Sequence, residues 1–169
     1  MATAVHSPTV ATMPLSLHPQ AEARINQLNL EPIKFKLMDP HEGKGWDREM
    51  AEAVEVQYRR FLILNAQYPD KHIVPTKDVD AFWHQHILDT KKYAQDCAHI
   101  FGRFLHHFPY FGMRGPEDAA NLKRAFAETN ELALAHFGET LAGAHAANCD
   151  SSACDSQPSC GSSCTGLSN

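Results

Sequence analysis

The sequence predicts a mainly α-helical fold, a compact bundle of about four helices with one extended segment and a disordered tail at each end. Three observations predict it. Apolar residues recur at helical spacing through four windows, capping signals bracket most of those windows, and only one short stretch alternates as a strand would. At 169 residues, with 43% hydrophobic and 21% charged side chains, the chain has room for one domain of roughly 120 residues between its ends.

Residues 1–19 hold Ala, Thr, Ser and prolines without a periodic apolar face, so a disordered lead-in is expected there. The domain is then expected to span residues 20–142. Ala21, Ile25 and Leu28 fall at helical spacing, and Pro32 predicts a stop, giving a short first helix from Gln20 to Leu30. Ile33, Phe35 and Leu37 alternate with Lys34 and Lys36, which predicts an extended segment lying on the helices, followed by a loop through Asp39, Pro40, Gly43 and Gly45. Asp47 is a cap for a second helix whose inner side carries Met50, Val54, Tyr58, Phe61 and Leu62, ending before Pro69.

Thr76 caps a third helix, with Asp78 in the first turn, where the helix dipole favours negative charge. Val79, Phe82, Trp83, Ile87, Tyr93, Ala94 and Cys97 form one apolar arc, so this helix is predicted to run unbroken to about Phe101, with Gly102 ending it. An aromatic loop from Phe104 to Gly115 leads to Pro116, which opens a fourth helix with Leu122, Phe126, Leu132 and Phe137 on its inner side. Residues 143–169 turn to Ala, Ser, Gly, Asp and Cys, a composition that builds no core and reads as a disordered cysteine-bearing tail.

The formal net charge is −5 and the basic residues form no stripe, which argues against a nucleic-acid partner. No apolar run is long enough to span a membrane, and the N-terminus lacks a basic and apolar leader, so a cytoplasmic protein is expected. The cysteines, one in the domain and four behind it, do not form a core-stapling disulfide framework, which agrees with a reducing compartment.

Eleven histidines stand out, seven of them between His72 and His136. Asp80 and His84 are four apart and share a helix face, the spacing at which two side chains of one helix bind one metal ion. His84 and His86 point ~200° apart on a helix, so that pair cannot clasp one ion. His86 falls in the apolar arc, where the plainer reading is a core histidine bonded to a tyrosine or a backbone carbonyl; for Asp80 and His84 it is a helix-stabilising surface pair. Either His106 or His107, adjacent in the aromatic loop, could complete an N/N/O set with an open position, the composition of a Zn or non-haem Fe(II) centre.

Asp80, His84 and His107 are therefore the leading candidate ligands, with His86, His106 and Asp89 around them. Asp89, Asp96 and Cys97 are secondary: Asp89 is placed to orient His86, and Cys97 reads as an inert buried thiol. In the tail, Cys149, Cys154, Cys160 and Cys164 are spaced to wrap a soft ion or to cross-link, or they do nothing specific. No Ser-His-Asp elbow, phosphate-cradling Gly loop or H-E-x-x-H pattern is present.

The run Val79-Asp80-Ala81-Phe82-Trp83-His84-Gln85-His86-Ile87-Leu88-Asp89-Thr90, continued through Tyr93, Asp96-Cys97, Gly102 and His106-His107, resembles the glycine-rich domain-containing protein-like family over about residues 20–140. This chain would be one of its short bacterial-type members. The resemblance implies no substrate, and the Ser- and Cys-rich tail departs from the glycine-rich segment of plant members, whose roles in stress and development do not transfer. Three functions are compatible with these residues. The first is a metal-binding helical domain, which would include a metal-dependent enzyme using activated water or O2. The second is a protein-interaction module presenting Trp83, Phe108, Tyr110 and Phe111, with structural histidines. The third is metal handling by the tail cysteines. The expected cofactor is a divalent ion, Zn or Fe, and the partner a protein or a small molecule.

Overall fold

Six helices and no strand make up residues 18–141, the part of the chain that the computed structural model describes. They are α1 (His18–Asn26), α2 (Glu31–Met38), α3 (Arg48–Gln67), α4 (Lys77–Leu88), α5 (Thr90–Phe101) and α6 (Pro116–Phe137). The mainly helical fold is as the periodicity predicts. The expected tails lie outside the described residues, except that His18 and Pro19 open α1.

The segment expected to be extended is the helix α2. Pro32 occupies its first turn, where a missing N–H costs nothing, so the proline starts a helix instead of only ending the one before it. Ile33 and Leu37, read as alternate residues of a strand, are four apart and buried together, while Phe35 points outward. Lys34 is buried as well, and its ammonium is paired with Glu31 at 2.6 Å and with Glu55 of α3 at 2.6 Å. Glu55 in turn holds Arg59, whose guanidinium donates to the Ile25 and Leu28 carbonyls. This charged chain stitches α1 and α2 to α3 by binding one carbonyl in the last turn of α1 and one just beyond it.

The second departure is a break in the predicted third helix. Asp89, at φ −81° and ψ 72°, leaves the helical region, and its carboxylate accepts from the Lys92 N–H to cap a new helix. One helix therefore becomes α4 and α5, which pack against each other.

α3 is the central element, touching α1, α2, α4 and α6. Its buried face of Val54, Tyr58, Phe61, Leu62 and Leu64 packs with Val79, Phe82 and Trp83 of α4 and with Tyr93 and Cys97 of α5. Each such large apolar side chain contributes about 1.5–3 kcal/mol relative to exposure. Asp47 and Thr76 cap α3 and α4 as expected, by accepting from Met50 N and Val79 N. No described helix is long and apolar enough to cross a membrane.

Candidate metal centre

α4 presents two faces two residues apart. Val79, Phe82, Trp83 and His86 turn into the core, and Asp80 and His84 share the outer side near the start of the helix. After α5, Gly102 takes a left-handed conformation (φ 66°) that ends the helix and sends the chain back towards α4. The residues that follow alternate in burial: Leu105 is buried, His106 is exposed and His107 turns inward again. This alternation decides between the two adjacent histidines.

A buried clamp holds the returning loop against α4. The Tyr93 hydroxyl accepts from Trp83 Nε1–H at 2.8 Å and donates to the Leu105 carbonyl at 2.6 Å. The Trp83 ring also meets the edge of His107, with centroids 4.6 Å apart. The loop is pinned further along by Asp118 of α6, which accepts from Gly112 N–H at 2.7 Å and binds the Arg114 guanidinium at 2.7 Å.

Held in this way, His107 Nε2 lies 3.1 Å from Asp80 Oδ1 and 3.0 Å from His84 Nε2, and His84 Nε2 lies 3.6 Å from Asp80 Oδ2. One ligand-type atom from each residue lies within 4.8 Å of the others. Donors held ~2.1 Å from one ion sit about 3.0 Å apart in octahedral geometry and ~3.4 Å apart in tetrahedral geometry, so the spacing fits a shared ion. Hydrogen bonding serves the cluster less well. His107 Nε2 faces both Asp80 Oδ1 and His84 Nε2, and one ring nitrogen with at most one N–H cannot serve both directions. The side chains are 35% exposed at Asp80, 51% at His84 and 19% at His107, so a bound ion would keep positions open to solvent.

The other candidates are placed elsewhere. His86 is fully buried, with Nδ1 2.8 Å from the Tyr58 hydroxyl and Nε2 3.0 Å from Asp96 Oδ2. A neutral ring satisfies both contacts with one proton, accepting at Nδ1 and donating at Nε2, a tautomer assigned from its neighbours. Burial pushes the His86 pKa down against the pull of the Asp96 carboxylate, and burial lifts the Tyr58 phenol far above its ordinary range. Asp96, which also binds Lys92 at 2.8 Å, is thus the orienting carboxylate expected at Asp89, which instead caps α5. Asp89 is closer in sequence, but the helix break turns Asp96 towards His86.

His106 packs on Phe104 and does not join the cluster. Cys97 is buried with its thiol pKa raised by desolvation, the state of an inert thiol. Cys149, Cys154, Cys160 and Cys164 lie outside the described residues. The aromatic patch is only partly on the surface. Trp83 is in the core and Phe111 leans on His72, whereas Phe108, Tyr110, Phe104 and Met113 are exposed.

The UCP032817-like family model matches residues 20–133, more than half of the chain, and this span includes Asp80, His84, His86, Asp96 and His107. The chain belongs to the UCP032817-like family. This match corrects the resemblance to the glycine-rich domain-containing family, for which there is no support; the W-H-x-H and D-C elements that carried it are residues of the UCP032817-like match. No curated protein and no solved structure matches the chain. The family name carries no activity, so function in this UCP032817-like domain is read from geometry.

That geometry includes a cleft of about 620 Å³ beside the cluster, lined by Asp80, His84 and His107 together with Trp83, Phe108 and Phe111. A smaller cleft of about 410 Å³, lined by Gly43, Lys44 and Leu88 among others, also reaches Asp80 and His84. Sequence reasoning missed Tyr93 as the clamp and Asp96 as the partner of His86. In the sequence Tyr93 is simply one member of an apolar arc, but a phenol in such an arc needs a partner for its hydroxyl, and that need is the available signal.

Proposed function

We propose that this domain binds one divalent metal ion through Asp80, His84 and His107, with its open coordination positions facing the larger cleft. The observation that carries this reading is the convergence of two imidazole Nε2 atoms and a carboxylate from α4 and the returning loop. A two-histidine, one-carboxylate set suits Zn(II) or Fe(II), and such an ion would polarise a water or a ligand donor in the cleft. The protein's part is positional: Tyr93 fixes Trp83 and Leu105, Trp83 backs His107, and the cleft walls limit what can approach.

Titrating the full chain with Zn(II) by calorimetry and with Co(II) by visible absorption tests the proposal. One ion per chain is expected, without thiolate-to-cobalt charge transfer. His84→Ala and His107→Ala should each weaken binding at least about 100-fold, since losing even an outer partner of a metal-bound histidine costs 10–100-fold. Binding that survives both substitutions, or a spectrum dominated by thiolate, would transfer the ion to the tail cysteines and overturn this assignment.

A further inference from the structure

We infer that the larger cleft takes a small organic anion, a carboxylate- or phosphate-bearing molecule with an apolar body, whose charge is met by Arg103 and Lys77. The inference deepens the metal reading by naming the class of molecule beside the ion, and it rests on that reading for one of the ligand's contacts.

The first argument is charge. The chain as a whole is acidic, at −5, yet the cleft lining includes Lys71, Lys77, Arg103 and Arg114 against a single carboxylate, Asp80. Two of those cations are already occupied: Lys71 pairs with Glu128, and Arg114 binds Asp118 while lying 5.0 Å over the Phe108 ring. Arg103 and Lys77 form no salt bridge among the described residues. A divalent ion at the cluster would more than neutralise Asp80, leaving the cleft with an excess of positive charge that a bound anion would balance.

The second argument is shape and lining. A volume of about 620 Å³ lies within the ~300–1,000 Å³ range of small-molecule sites, which fits a metabolite-sized ligand. Leu105, Phe111, Leu122 and the Trp83 ring supply apolar wall next to the cationic groups. A bare inorganic ion would leave that wall unused, and a neutral apolar molecule would gain nothing from the two solvent-facing cations at its edge.

Calorimetry on the full chain, with and without Zn(II), tests the inference with three probes of similar body: benzoate, phenylphosphate and neutral benzyl alcohol. At least one anion is expected to bind about tenfold or more tightly than the alcohol, the scale of one charge-assisted contact. Arg103→Gln and Lys77→Gln, both at exposed surface positions, should each remove about tenfold of that preference while leaving the circular dichroism spectrum and zinc affinity unchanged. Preference for benzoate identifies a carboxylate ligand, and preference for phenylphosphate a phosphate. Equal binding of the alcohol, no binding of any probe, or anion binding indifferent to both substitutions would overturn the inference. Zinc bound without anion preference sinks this inference alone, whereas anion preference in a chain that binds no zinc sinks only the metal reading.

Discussion

Two histidines of α4 separated by one residue meet opposite environments. His86 lies in the core, each ring nitrogen matched to a partner, Tyr58 on one side and Asp96 on the other. His84 lies half in solvent with its Nε2 turned towards the donor-rich neighbours His107 and Asp80. The difference follows from the ~100° turn per residue, which puts positions two apart on opposite sides of a helix. It teaches that a count of histidines says little about metal binding until each ring nitrogen is assigned a partner: where protein groups fill both, the ring is structural, and where several lone pairs converge, it is a ligand candidate.

The strongest test of this contrast compares the two alanine variants in urea unfolding. His86→Ala should cost about 2–4 kcal/mol, because it opens a cavity, strands the Tyr58 hydroxyl and leaves the Asp96 carboxylate with Lys92 alone. His84→Ala should stay within about 0.5 kcal/mol, as expected for an exposed position. Equal losses at the two positions would erase the distinction.

A smaller effect is expected at the clamp between the two regions. Tyr93→Phe keeps the ring but removes the hydroxyl shared by Trp83 and Leu105, for an expected loss of about 1–2 kcal/mol of stability. If Tyr93 positions His107, zinc affinity should fall by about tenfold as well. Lost stability with unchanged zinc affinity would make the hydroxyl a core feature alone.

The mildest test uses acid. Arg114 beside Asp118, helped by the Arg114 and Gly112 N–H groups, lowers the Asp118 pKa from 3.8 to about 2. A carboxyl depressed by folding stabilises the native state above its unfolded value, so this contribution is present at pH 4 and above and is lost as pH falls towards 2. Asp118→Asn should therefore flatten the stability profile in that window and leave it unchanged near neutrality in shape, which urea midpoints across pH would show. A profile identical to that of the unsubstituted chain would mean that the loop carrying His107 does not depend on this anchor.

Much of this was legible in the residues themselves, where periodicity was strong. α3 and α6, with Asp47 and Pro116 at their starts, follow from helical spacing and local capping chemistry. Asp80 and His84 follow from the four-residue interval. α2 was not legible, because in Pro32-Ile33-Lys34-Phe35-Lys36-Leu37 a strand period and a helix pair share the same apolar residues. The outward Phe35 and the burial of Lys34 against Glu55, twenty-one residues away, separate the two. Which of His106 and His107 joins the cluster depended on a clamp made by residues from three separate parts of the chain, which local pattern does not encode.

The break at Asp89 has a consequence for both regions. At 1.5 Å of rise per residue, an uninterrupted helix would hold residues ten apart at about 15 Å along its axis. His86 and Asp96 are ten apart, as are Trp83 and Tyr93, and their polar atoms stand 3.0 and 2.8 Å from each other. One non-helical residue thus folds the segment back on itself like a closed hinge, and the same bend makes both the internal histidine contact and the tyrosine bridge that steadies the outer cluster.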